Sequence, residues 1–194
     1  MYVKSRRLAS AVVVAILTVL AAVTAGCGNA GASAEQKAKA QASASQEAAA
    51  KARQKAAAAK KARQSAVYEE CRKVAGTLDD RLSELNSRLS VGVPFAEYGK
   101  AVGSAKVAYD KFIRDAKAQG GVSDACINKV GIPLESALNA YIRAYQVWND
   151  CIDEYSCSFD KGSPALKKAQ ASWAKAARLM SRADNGLAGL EPAP

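Results

Sequence analysis

Val67, Cys71, Val74, Leu78, Leu82, Leu85 and Leu89 recur at intervals of three and four, with charged residues between them. At 3.6 residues per turn this spacing puts all seven on one side of a helix, whereas a strand of period two would scatter them over both faces. The stretch "SVGVP" at 90–94 ends the pattern, because Gly and Pro punctuate a turn and Pro suits the start of the next helix. A second stripe follows as Phe95, Tyr98, Val102, Ala105, Tyr109, Phe112 and Ala116, closed by Gly120 and Gly121. Ser123 or Asp124 is placed to cap a third, running Ile127, Val130, Leu134, Leu138, Tyr141, Tyr145, Trp148 and Ile152, with a kink or break expected at Gly131–Pro133. Ser163 and Pro164 form an N-cap and first-turn pair for a fourth, with Leu166, Ala169, Trp173, Ala176, Met180 and Ala183. Strand-like alternation is absent. Four amphipathic helices joined by short loops predict an all-α, up-down antiparallel helical bundle over residues 65–187, with a loose tail at 188–194.

Upstream of that bundle the chemistry changes. Residues 35–64 are Ala, Lys, Arg, Gln, Glu and Ser, with no apolar side chain larger than Ala. Most of these are strong helix formers, and Glu47 precedes Lys51 by four residues, the favourable order for a pair on a helix face. Nothing there can form a coiled-coil seam. The expectation is a partly helical, semi-rigid spacer. Gly28 to Ala34, small throughout, reads as a flexible tether within residues 27–34.

The formal charge of +10 suggests a nucleic-acid or membrane binder until it is divided along the chain. Lys4, Arg6 and Arg7 give the leader +3; eight bases and two acids give residues 34–64 +6; seventeen bases and sixteen acids leave residues 65–194 at +1. The excess lies in the leader and the spacer. On this count a basic binding face on the bundle is not indicated, and nucleic acid is not an expected partner.

Residues 1–10 are basic without an acid, and "AVVVAILTVLAAV" at 11–23 carries no charge. This is the layout of a secretory leader, too short to span ~30 Å of hydrocarbon comfortably. The segment ends in Thr24, Ala25, Gly26 and Cys27, which resembles the lipobox of bacterial lipoproteins, with Thr24 where that family usually has Leu. The resemblance implies a signal peptide at 1–26, cleavage before Cys27, diacylglycerol on its thiol, and attachment to the outer face of the cell membrane. The Ala-rich body with paired cysteines resembles small lipoproteins of high-G+C Gram-positive bacteria. These likenesses imply anchoring and carry no activity with them.

With Cys27 assigned to lipid, Cys71, Cys126, Cys151 and Cys157 remain. An even number in an exported chain suits two disulfides, with three pairings possible. Buried free thiols and a four-cysteine zinc site are the alternatives; no C-x2-C knuckle and no histidine support the metal. In an up-down bundle Cys71 and Cys126 share one end, while Cys151 lies up to ~37 Å along the third helix, beside Cys157. Bridged Cα atoms must come within about 7 Å, so the expected pairs are Cys71–Cys126 and Cys151–Cys157.

Catalytic motifs are missing. Without histidine there is no Ser-His-Asp or Cys-His dyad and no H-E-x-x-H metal site. The adjacent acids Glu69-Glu70, Asp79-Asp80 and Asp153-Glu154 would point in different directions on a helix and read as solvated faces. No catalytic residue, metal ligand or cofactor is assigned. The sequence therefore predicts a non-enzymatic, membrane-anchored envelope lipoprotein whose bundle meets a protein or envelope polymer. Its basic spacer would lie near anionic lipid or wall polymer. The alternative is a ligand or divalent-metal binder, using the aromatics Tyr141, Tyr145, Trp148 and Trp173 or the acids of residues 150–160, Asp150, Asp153, Glu154 and Asp160.

Overall fold

The computed structural model describes residues 31–118, 121–154 and 156–193; the leader and Cys27 lie outside the described residues. Helix α1 is Gly31–Val91 and α2 is Phe95–Ala118. Helix α3 covers residues 124–153 as an opening turn Asp124–Cys126, a π turn Ile127–Gly131 and a long α stretch Ile132–Asp153. Helix α4 is Pro164–Ala188. Among the described residues there is no strand. The chain divides into two compact units, Met1–Ala49 and Ala50–Pro194.

In the first unit the described residues, 31–49, are helical, and the side chains from 36 onward are exposed. The described helix includes Gly31, so residues 31–34, expected as tether, belong to it. Residues 50–64 of the second unit are likewise helical and exposed. The spacer is thus helical throughout and runs without a break into the first stripe of the bundle.

The second unit is the four-helix bundle, and its helix directions follow from which side chains meet. Cys71 bridges Cys126 and the Tyr141 hydroxyl meets Asn86 Oδ1 at 3.1 Å, so positions advance together and α1 and α3 run parallel. Phe95 stacks on Tyr145 while the Phe112 ring lies 3.0 Å from where a Cβ on Gly131 would stand, so α2 and α3 are antiparallel. Trp173 meets Trp148, Met180 meets Tyr141 and Gly186 meets Lys129, the opposite order again for α4. This is the expected up-down arrangement. Among the described residues, the buried ones, from Cys71 to Ala183, and both disulfides lie within residues 50–194, which therefore carry a core of their own.

The stripes are buried as their spacing requires: Leu78, Leu82, Leu85, Tyr98, Leu134 and Tyr141 are inaccessible to solvent. Each fully buried Leu contributes about 2 kcal/mol. Much of the interior besides is alanine, with Ala137, Ala140 and Ala144 on α3 and Ala169, Ala176 and Ala183 on α4, where the two helices approach closely. Ile152, read as core, is 55% exposed: in the last turn of α3 the covered side is that of Cys151, which is 6% exposed.

Caps fall where side-chain chemistry puts them. Ser123 Oγ accepts from the Cys126 N–H at 3.2 Å, and Ser163 Oγ accepts from the Leu166 N–H at 3.2 Å with Pro164 behind it. Gly92 turns the chain between α1 and α2 with φ 91°, a conformation that favours glycine.

At Gly131–Pro133 the chain does not break. Pro133 has no N–H to offer the preceding turn, and the helix absorbs it by widening: the Ile132 N–H bonds back to Ile127 O, five residues away. The widened turn stands against α4, where a Cβ on Gly186 would lie 2.2 Å from the Lys129 carbonyl oxygen. Gly186 is therefore a contact glycine inside a helix. Residues 185–188, "NGLA", complete α4.

Candidate functional site

The cysteines come first, since they bear on the compartment. Cys71 and Cys126 are fully buried with Cα atoms 5.5 Å apart, tying α1 to the start of α3. Cys151 and Cys157 lie 5.1 Å apart and close the loop that follows α3. The four cysteines beyond Cys27 are thereby taken up in pairs.

The four aromatic positions named from sequence divide. Tyr145, Trp148 and Trp173 join a ring cluster with Phe95, Tyr98 and Phe159: Phe95 stacks on Tyr145 at 5.0 Å, Trp148 on Phe159 at 4.5 Å, and Trp173 meets Tyr98 edge-on at 5.9 Å. Gly99 admits the Tyr145 ring, since a Cβ there would stand 2.9 Å from Cε2. The Tyr98 hydroxyl donates to the Tyr141 carbonyl at 2.8 Å and accepts from Trp173 Nε1 at 2.9 Å. Tyr141 is buried apart from these ring contacts, its hydroxyl against Asn86 and Met180 Sδ. Burial is the main cause that raises both phenols, Tyr98 far above its usual range and Tyr141 to about 12. These rings pack on one another, and the polar tips of Tyr98, Tyr141 and Trp173 bond to protein groups.

The acids of residues 150–160 are spread over the helix end and the loop. Asp153 accepts from Asn149, Glu154 from Ser156 Oγ and Asp160 from Ser158 Oγ. Among the described residues no group of three or more Asp, Glu, Cys or His converges as metal ligands would.

Asp79 departs from the reading of paired acids as solvated. It lies beside Leu78 at the edge of the first stripe and is only partly exposed, and its Oδ1 is buried without a hydrogen-bond partner among the described residues. Burial, then the Asp184 carboxylate of α4, then Asp80, raise its carboxyl from 3.8 to about 6. Leu78 packing carries the neighbouring acid inward, a consequence that counting charges along the chain does not reveal.

A groove of about 620 Å³ runs between α1 and α2. Its rim carries Arg81 from α1 and Lys100, Lys111 and Arg114 from α2, with no acid in the lining. Gly103, Val107 and Ala108 form the apolar part of its wall. Toward the α1–α2 turn a hollow of about 420 Å³ shares Arg81, Lys100 and Ser104 and adds Arg88, Glu84 and Glu97. Arg81 and Arg88 both pair with Glu84, at 3.0 and 2.7 Å, and Lys111 pairs with Asp115. Among the described residues Lys100 and Arg114 form no ion pair.

This groove is what the charge count overlooked. The near-neutral balance of residues 65–194 is a sum, and the fold separates its members: Lys100, Val107, Lys111 and Arg114 are spaced by sevens, fours and threes on one side of α2. A helical wheel of α2 drawn for charge as well as for hydrophobicity contains that signal. No protein-family model, curated protein or solved structure matches the chain.

Proposed function

We propose that this chain is a lipoprotein of the bacterial cell envelope, anchored through acylated Cys27 on the outer face of the membrane, whose helical bundle works by binding rather than by catalysis. The observation that carries the reading is the cysteine accounting. Cys71 pairs with Cys126 and Cys151 with Cys157, as suits an oxidising compartment, which leaves Cys27, placed behind a secretory leader, for lipid. The helical spacer of residues 35–64, exposed from residue 36 onward and with eight bases to two acids, holds the bundle off the membrane. Its cations favour anionic headgroups or wall polymer at about 1 kcal/mol for each Lys or Arg near such a surface. The bundle then meets a protein or polymer of the envelope.

Intact mass of the mature protein tests the anchor. The expected chain begins at residue 27 and carries two or three acyl groups; Cys27→Ser abolishes that mass excess and leaves helicity and both bridges intact. A mature chain with an unmodified thiol at residue 27 contradicts the proposal. Deleting residues 35–64 separates the spacer's role: salt-sensitive retention on anionic vesicles or wall polymer should fall, and unchanged retention removes any electrostatic part.

A further inference from the structure

We propose that the groove between α1 and α2 binds a single-chain amphiphilic anion, with one carboxylate or phosphate head and an unbranched alkyl body. The inference concerns residues 50–194 alone and does not depend on the fate of Cys27.

Most glycines of the bundle have a structural reason, and Gly103 does not. Gly99 and Gly186 each have a neighbour that a Cβ would strike, at 2.9 and 2.2 Å. Gly92, Gly121 and Gly162 have positive φ. Gly103 on α2, like Gly76 on α1, has neither: each sits inside a helix with an ordinary φ and nothing within 4 Å of where its Cβ would be, and of the two only Gly103 lines the groove. Glycine is a poor helix former, so helix stability alone would favour alanine there. What the missing side chain does is keep the groove open.

The second argument is the character of the walls. Val107 is 68% exposed, a large apolar side chain left in water on a helix whose other face is buried. It stands with Ala108 and Gly103 beside four cations, of which Arg81 pairs with Glu84 and Lys111 with Asp115, while Lys100 and Arg114 form no ion pair among the described residues. Apolar surface edged by cations is complementary to a ligand that is apolar along its length and anionic at one end. The head belongs at Lys111 and Arg114, because Glu84 and Glu97 stand at the other end of the row and Arg114 has no partner among the described residues. Lys100 and Arg114 are fourteen positions apart on α2, about 21 Å at helical rise, room for an extended alkyl chain. A bilayer surface is a poorer occupant, since insertion needs a stripe of large exposed apolar residues and α2 offers Val107 alone. A polyanion is poorer too, because the two glutamates close off one end of the cationic row.

The experiment is calorimetric titration of residues 50–194 with dodecanoate below its micelle concentration. The expected result is saturable binding of one molecule per chain. Acetate and inorganic phosphate, which lack the tail, should not bind, and neutral monolauroylglycerol should bind at least about tenfold more weakly. Lys111→Glu with Arg114→Glu should weaken dodecanoate about tenfold or more, and so should Gly103→Leu, which fills the groove, with the far-UV spectrum unchanged. Should Gly103→Leu fail to fold, the charge-reversed chain alone decides. Equal binding of the neutral amphiphile, affinity untouched by the variants, or binding only to phosphatidylglycerol vesicles overturns the proposal.

Discussion

Residues 36–64 and residues 67–89 lie on the same helix, and they are helical for different reasons. In the first stretch the side chains are exposed and the residues are those with the best intrinsic propensity. In the second, Cys71, Val74, Leu78, Leu82 and Leu85 are at most 4% exposed, and the stretch includes β-branched Val67 and Val74 and the mid-helix Gly76. Propensity favours the first stretch, yet an isolated helix is marginal in water and most helical stability in proteins comes from packing. The two stretches share a conformation and differ in what would be lost if it melted. Melting the first exposes no buried side chain. Melting the second exposes the core.

The largest expected effect falls on the packed stretch. Replacing both Cys71 and Cys126 with Ala opens a loop of 55 residues and should cost about 4 kcal/mol in the chain-entropy account. Denaturant unfolding of residues 50–194 measures it. A loss no larger than that for Cys151 and Cys157, whose separation is 6 residues and whose expected cost is about 2 kcal/mol, would show that the α1–α3 tie is not a principal brace.

Gly186→Ala comes next. On propensity it should stabilise by ~1 kcal/mol. Against the Lys129 carbonyl it should instead destabilise by about 2 kcal/mol, because a backbone oxygen 2.2 Å from the new Cβ must move. The sign of the shift in melting temperature is the readout. Within the spacer the corresponding exchange, Ala58→Gly, should cost ~1 kcal/mol of local helix and leave the global unfolding midpoint where it was.

Asp79 sharpens the comparison by pH. Its carboxyl is raised from 3.8 to about 6, so the folded state binds a proton more readily than the unfolded chain. The resulting stabilisation is complete below pH 3.8, is lost as pH rises through about 6, and is flat above. Asp79→Asn should remove that slope and, with solvent screening on its exposed side allowed for, stabilise the bundle by about 1 kcal/mol at pH 7. Unfolding titrations at pH 4, 5, 6 and 7 on both chains check this; parallel curves would mean that the buried Oδ1 is solvated.

The all-α fold was legible because Leu78, Leu82, Tyr98, Leu134 and Met180 obey one period, and periodicity is a property of sequence alone. The disulfide pairing followed from helix directions and lengths, which the loops dictate. Three features were not legible. Burial of Ala137, Ala140 and Ala144 depends on how closely α4 approaches, and alanine is at home inside or out. The π turn at Ile127–Gly131 is a choice between breaking and widening at Pro133, decided by the fit of Gly186 from a helix some fifty residues away. The groove escaped because Arg81 joins Lys100, Lys111 and Arg114 only after α1 and α2 pack, while summed charge cancelled them against acids elsewhere.

Residue-resolved hydrogen exchange along α1 tests the central claim most directly, because it reads the two stretches in one helix under one condition. Amides within residues 36–64 should exchange through local fraying, with opening free energies near zero and no dependence on bundle stability. From Cys71 to Leu85 they should exchange only through global unfolding and should weaken in step when the Cys71–Cys126 bridge is removed. Uniform protection from residue 36 to residue 89 would contradict the account, for it would mean that the spacer is held by packing of its own.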